Sequence, residues 1–343
     1  MNRPLLELLS IEITNRCNMR CRMCVSHGAN LYQGQADDHP ARIDIHFFKS
    51  IVDQYKIIEP QTNKSILPQF QGESLLHPQF LEMCEYMDKV GILFGFTTNA
   101  SLLTPNISKE LLKMKNFHSI KFSLDGLYAD TYEHIRVGAD YKKVEENILT
   151  FLQYRKEYES IKSIIIGISY TEQPANEKET DEFIRKWVEL VPSVSINNVA
   201  VNGRPEKVFF RPDRFPCGDL WSFMIVLTNG QVVPCCRDYL YEFNLGNLHE
   251  QSLAEVWYGK KYQEMRQKHT EGKWDDYPLC ADCDTWMTRS TERIIEDMPP
   301  DIIITKGPFF RIANKIEINE PVPSPKTGLI KDIIKIIKTV FIH

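Results

Sequence analysis

Residues 13–25 read ITNRCNMRCRMCV and put three cysteines, Cys17, Cys21 and Cys24, within eight positions. A disulfide framework needs an even number, and a closed zinc site needs four ligands, so the group is one thiol over or one thiol short. It follows Leu8 to Thr14 directly, an apolar alternation of strand type. A cysteine loop at the end of a first strand is the feature around which the rest of the chain has to be arranged.

The chain has 343 residues, 43% of them hydrophobic and 11% aromatic, enough for one large domain and a smaller one. Its formal net charge is -5 and its 41 lysines and arginines are dispersed, which argues against nucleic acid as the main partner. MNRPLLELLSIEIT holds only a short apolar run that passes straight into strand alternation, so no signal peptide is expected. No stretch of about 18 or more uncharged apolar residues is present, so nothing is expected to cross a membrane. The expected location is cytoplasmic, where nine cysteines point to metal or redox chemistry rather than disulfides.

Strand patterns recur at Leu8 to Thr14, Ser65 to Phe70, Ile92 to Thr98, Ser119 to Leu124, Ile164 to Ser169 and Val194 to Val199. Helical patterns such as Phe47 to Ile58, Pro78 to Val90 and Tyr141 to Glu159 lie between them. This succession predicts a parallel α/β sheet covered by helices, with the working groups at the C-terminal strand ends. Short motifs fall at those ends: the cysteine loop, QGE (71–73), TTN (97–99) and SLDG (123–126). They are expected to converge on one mouth. Cys84 lies alone in an amphipathic helical pattern and reads as a small buried hydrophobe. His77 and His118 read as structural, and Arg16, Arg20 and Arg22 as solvated loop charges, with cluster stabilisation or donor docking as the alternative.

NGRPEKVFFRPDRFP (202–216), with three prolines and three arginines, marks a linker. FMIVLTNGQVVPCC then predicts a hairpin turning at Asn229-Gly230 in a type I′ geometry. Ser252 and Glu255 have the spacing of a helix capping box. The expected division is a core over 1–201, the linker 202–216, a second domain over 217–295 and a C-terminal extension over 296–343. Within the extension, PVPSPKTG reads as a linker, and LIKDIIKIIKTVFIH places Leu329, Ile330, Ile333, Ile334, Ile336, Ile337, Val340 and Phe341 on one helical face. Its cover would be the protein itself, a partner or a membrane surface.

Three thiolates can hold three irons of a [4Fe-4S] cube and leave the fourth open, which accounts for the odd count. The C-x3-C-x2-C spacing after the first strand of a βα series resembles the radical S-adenosylmethionine superfamily. The resemblance implies a partial (β/α)6 barrel and S-adenosyl-L-methionine on the open iron. It also implies reductive cleavage of that cofactor to a 5′-deoxyadenosyl radical, driven by an electron donor such as flavodoxin or ferredoxin. It makes Cys17, Cys21 and Cys24 the catalytic cluster ligands. Gly72 and Glu73 match the end of the family's glycine-glycine-glutamate motif, which binds the methionine ammonium; Gln71 replaces the first glycine. Ser123 and Arg136 match positions that contact ribose and the methionine carboxylate. Asn99 and Ser169 are placed by their strand ends, and Met23 stands where an aromatic more often packs the adenine.

In the last third, Cys217 and Cys235 lie 18 positions apart, and the C-x2-C pair Cys280 and Cys283 begins 45 positions after Cys235. Four such thiolates close either a zinc site or a fully ligated [4Fe-4S] cluster, and spacing alone does not choose. With GNLHEQSLAEVW (246–257), the region resembles the SPASM auxiliary-cluster domain in its short twitch form. That resemblance implies one auxiliary cluster and two clusters in all. Cys236 is surplus: an alternative ligand, a structural thiol or a hydrogen-atom donor. A filled auxiliary cluster suits electron transfer, and the layout is similar to a twitch-domain dehydrogenase of a cyclitol. Net oxidation of a sugar, aminosugar or cyclitol is therefore expected, with a peptide maturase or epimerase as the alternative. The first strand starts by about residue 8, which leaves no room before it for a precursor-peptide domain. A scaffold without catalysis would not need Glu73, Ser123 and Arg136.

Overall fold

The structure is a computed structural model that describes residues 4–28, 40–58, 64–158, 163–198, 200–201, 204–205, 214–281, 283, 292–294, 302–306 and 310–315. Six strands come first: β1 (Leu8–Ile11), β2 (Ser65–Leu67), β3 (Leu93–Thr98), β4 (Phe117–Ser123), β5 (Ile165–Glu172) and β6 (Ser193–Asn198). They lie side by side in chain order and are all parallel. The helices between them are α1 (Ile45–Ile58), α2 (Phe80–Val90), α3 (Pro105–Lys113), α4 (Ala129–Ile135), α5 (Tyr141–Lys156) and α6 (Thr180–Val188). This is the expected partial barrel, because parallel neighbours must be joined by crossovers.

Two strands stop short of their sequence patterns. Pro68 has no N–H to give the ladder, and β2 ends at Leu67. β1 ends at Ile11 and the chain turns away, with Ile13 and Thr14 meeting residues 41–43 instead.

The register sorts the side chains by face. One face carries Phe96, Ile120 and Ile166, then Phe122, Ile168 and Val194, all paired across the sheet and buried under the helices. Each such side chain is worth about 1.5–3 kcal/mol of burial. The other face carries Thr97, Lys121, Ser193, Ser123, Ser169, Ser195, Thr171 and Asn197. A parallel sheet with polar residues along one face has something other than a core to line. Burial pushes Lys121 on that face down to about 7.

After β7 (Ala200–Val201) and β8 (Arg204–Pro205), the second domain brings β9 (Phe223–Val226), β10 (Gln231–Val233) and β11 (Gly246–Asn247), followed by α7 (Leu253–Trp257) and α8 (Lys260–Thr270). β9 pairs parallel with β1, so the sheet continues from one domain into the other. The β9–β10 hairpin forms as expected, but its turn is different. Only Gly230 has a positive φ (81°), whereas a type I′ turn needs two, so the loop is the three-residue form closed by Leu227 and Gln231. Ser252 and Glu255 form the capping box at α7.

At the far edge, β12 (Glu292–Ile294), β13 (Ile302–Lys306) and β14 (Phe310–Lys315) extend the sheet antiparallel from β6, an addition that the sequence patterns did not signal. Most of the linker and the helical pattern at 329–341 lie outside the described residues. Among the described residues, no helix is long and apolar enough to cross a membrane.

Candidate active site

A cavity of about 350 Å³ opens at the C-terminal ends of β1 to β4. Cys17, Cys21, Met23 and Cys24 line it together with Gly72, Glu73, Asn99, Ser123 and Arg136. Of the residues expected at the first site, Ser169 alone is not in its lining. Ser169 pairs with Ser123 in the sheet, and its hydroxyl accepts from the Asn197 amide at 3.0 Å.

The cysteine loop is zipped to the segment after α4. The Arg20 and Arg22 N–H groups donate to the Val137 and Ile135 carbonyls, and the Arg22 Nε donates to His134 O at 2.7 Å. Arg20 turns back on its own loop and donates to the carbonyls of Cys17 and Met19. These arginines hold backbone rather than standing free. Burial pushes the Cys17 thiol up to about 11 and raises Cys21 as well. Metal binding at such thiols therefore releases protons.

Gly72 sits backbone to backbone against this loop: a Cβ there would stand 2.2 Å from the Thr14 carbonyl oxygen. No side chain fits, and the Glu73 N–H is left to donate to Arg16 O at 2.9 Å. The Glu73 carboxylate is 4% exposed and accepts from Asn99 N, Thr98 Oγ1 and Leu75 N. Burial raises its pKa, while those hydrogen bonds and Arg136 oppose the rise.

Arg136 is held by a residue that the motif reading passed over. Asp125, fully buried within SLDG, accepts from Arg136 Nε at 2.7 Å and pairs with Nη2 at 2.6 Å. Burial opposes the guanidinium charge most strongly, but Asp125, Cys21 and Tyr132 together outweigh it and lift the pKa above the usual arginine value. The remaining nitrogen, Nη1, lies 3.9 Å from Cys21 Sγ. A buried acid at the third position of the motif SLDG is a sequence signal for such a pair, since an arginine cannot be buried here without one.

A second, tighter cavity lies in the other domain. Cys217, Cys235, Cys236, Cys280 and Cys283 all line it, with His269. Burial raises Cys217 and Cys235 well above their ordinary range and Cys280 to about 12. Arg214 stacks on Trp274 at 4.6 Å and donates to the carbonyls of Cys280 and Ala281. Burial, and then Arg214, push His269 down to about 4, so the ring is neutral. Among the described residues, no three His, Cys, Asp or Glu groups close on a single metal ion; the thiols are spread around cavities.

Between the two cavities lies a chamber of about 440 Å³. Met23 and Cys24 form one wall, Cys236, Arg237 and Tyr239 another, and Ser10, Gln69, Thr171 and Asn197 supply polar lining. Gln71 lines both this chamber and the first cavity, and its Nε2 donates to Tyr239 O at 2.8 Å. Behind it, Glu12 is completely buried and accepts from Thr228 N and Tyr241 Oη, both at 3.3 Å. Tyr241 takes a φ of 58°, a left-handed geometry that L-residues rarely adopt. Burial lifts Glu12 to about 7, against the pull of hydrogen bonds from Thr228, Gln71 and Tyr241.

The radical SAM superfamily model matches residues 11–203, more than half of the chain. The chain belongs to that superfamily. A second model, the SPASM iron-sulfur cluster-binding domain, matches 217–284. This radical SAM enzyme thus belongs to a family whose cofactors are S-adenosyl-L-methionine and [4Fe-4S] clusters. It is 26% identical to a Pyrococcus furiosus tungsten-containing aldehyde ferredoxin oxidoreductase cofactor-modifying protein, over 81% of this chain and 87% of that one. It is 28% identical to a Niallia circulans S-adenosyl-L-methionine-dependent 2-deoxy-scyllo-inosamine dehydrogenase, over only 21% of this chain and 29% of the other. Among solved structures it resembles BtrN in complex with AdoMet and 2-DOIA, with a TM-score of 0.53 and 17% identity over 82% of this chain and 94% of that one. It also resembles Streptococcus suis SuiB bound to the precursor peptide SuiA, with a TM-score of 0.61 and 16% identity over 82% and 72%. At these identities the likeness establishes the fold.

Both cavities fit the cofactors of the family. The first offers three thiols, a cation near Cys21 and a backbone cradle at Gly72 that any side chain would fill. The second offers a ring of thiols and a buried polar atom without a partner among the described residues, His269 Nε2.

Proposed function

We propose that this radical SAM enzyme oxidises a sugar, aminosugar or cyclitol at a carbon bearing a hydroxyl or similar group. The carrying observation is the chamber of about 440 Å³ that touches both cysteine sites, Cys24 in one wall and Cys236 in the other. When bound, the first cluster and S-adenosyl-L-methionine supply a radical that removes one hydrogen atom from substrate, and the second cluster supplies an acceptor for the electron left behind.

The chain's residues divide the work. Cys17, Cys21 and Cys24 hold the first cluster. Gly72, Glu73, Asn99, Ser123 and Arg136 bind the S-adenosyl-L-methionine, and Met23 packs its adenine; Ser169 stays outside this group. Asp125 fixes the fork of Arg136. Cys217, Cys235, Cys280 and Cys283 hold the auxiliary cluster in a domain over 217–295, joined by the linker 202–216 to a core over 1–201. Ser10, Gln69, Thr171 and Asn197 give the chamber hydrogen-bonding groups suited to a substrate rich in hydroxyls or amines. The relatives named as a cofactor-modifying protein and as a 2-deoxy-scyllo-inosamine dehydrogenase support a small-molecule substrate.

The wall position of Cys236 favours a second reading, an epimerase in which this thiol returns a hydrogen atom. Solvent label separates the two. Reaction of candidate substrates in D2O is expected to give product about two mass units lighter, with turnover kept in Cys236→Ala. Product about one unit heavier, lost in that variant, would replace dehydrogenation by epimerisation.

A further inference from the structure

The second cavity contains one imidazole among the described residues, and only half of it is accounted for. His269 is 1% exposed and leaves α8 facing Trp274 and Tyr277, whose ring centroids lie 6.4 and 6.5 Å away. Its Nδ1 accepts the Cys217 backbone N–H at 3.4 Å, which leaves the ring proton on Nε2. That Nε2 has no hydrogen-bond partner among the described residues. A buried donor without an acceptor is unfavourable, and here it belongs to a residue lining a cavity ringed by thiols.

We propose that His269 donates its Nε2–H to a sulfur of the auxiliary cluster and so raises the potential of that cluster. A hydrogen bond to a cluster sulfur favours the reduced, more negative state, which makes the cluster a better acceptor. Cys217 thereby fixes the ring through its backbone while its thiol belongs to the cavity. The inference rests on the proposed [4Fe-4S] occupancy of this site. His269 is a positioning and tuning residue, and it touches no substrate.

The test uses full-length protein in which Cys17, Cys21 and Cys24 are replaced by Ala, reconstituted anaerobically so that only the auxiliary site is read. With 15N-histidine incorporated, pulsed EPR of the reduced cluster is expected to show a histidine nitrogen coupling. The coupling should vanish in His269→Phe. The midpoint potential should shift negative in His269→Phe and stay near the parent value in His269→Gln, whose amide keeps a donor near the Nε2 position. No nitrogen coupling in the parent overturns the inference, whether or not the variants load iron. So does an unchanged potential in His269→Phe. Zinc in place of iron would instead overturn the auxiliary-cluster reading itself.

Discussion

The two cysteine sites are built from the same side chain in opposite settings. At the first, three cysteines share one loop, and the cavity around them holds a carboxylate and a guanidinium and runs on into the polar chamber. At the second, the cysteines come from three separate places in the chain and meet in a tight cavity between a hairpin, α8 and a final turn. The first keeps room for a second molecule beside the cluster, whereas the second encloses what it holds. Openness, more than ligand type, distinguishes the two sites, and it suits the division of work proposed above.

The strongest way to break that contrast is to empty the first site. Replacing Cys17, Cys21 and Cys24 together by Ala is expected to abolish 5′-deoxyadenosine formation and to drop the iron content from about eight to about four per chain. Iron analysis and product chromatography read both. Persistent 5′-deoxyadenosine would mean that the open site lies elsewhere.

The ion pair that shapes the open site comes next. Arg136→Met leaves Asp125 buried and unpaired, and a loss of about 3–5 kcal/mol of stability is expected in anaerobic urea titrations. Adding Asp125→Asn should recover most of that loss but not S-adenosyl-L-methionine cleavage. Recovery of both would reduce the pair to a structural element.

The smallest effect sharpens how the sites are joined. Glu12 carries a pKa of about 7, raised above its ordinary 4.5 by burial. The folded state therefore holds this proton more tightly than the unfolded one, so stability is full below about pH 4.5 and falls as pH rises through 7. Glu12→Gln should remove that slope, a difference of about 1–3 kcal/mol between pH 5 and 8. Parallel pH profiles for the two proteins would show that the carboxylate is ionised throughout.

The open site was the more legible of the two, because its residues are consecutive or close a strand. Asn99 follows β3 directly, and Cys17 to Cys24 and Gly72 lie in the loops after β1 and β2, strands that periodicity finds. Asp125 escaped notice because its role depends on Arg136, which only α4 brings back to it. Ser169 stands at the expected strand end, but it lies outside the lining of the first cavity, and its hydroxyl accepts from Asn197. The Asn229-Gly230 turn was found and mistyped, as dipeptide preference cannot tell how many residues the flanking strands leave over. His269 carried no signal at all, because a lone histidine in a polar helix becomes informative only when the segment bearing Cys217, just before the hairpin, packs against it.

β1 lies between β2 and β9, with Leu8 opposite Ser65 on one side and Phe223 on the other. β1 thus keeps one open edge until β9 of the second domain pairs with it. A chain cut before Phe223 would end as an unprotected parallel edge beside three thiols, a template for association with other chains. The second domain is then a cap on the nascent sheet as well as a holder of iron, and the enzyme cannot be shortened to its catalytic half without exposing the strand from which its cysteine loop springs.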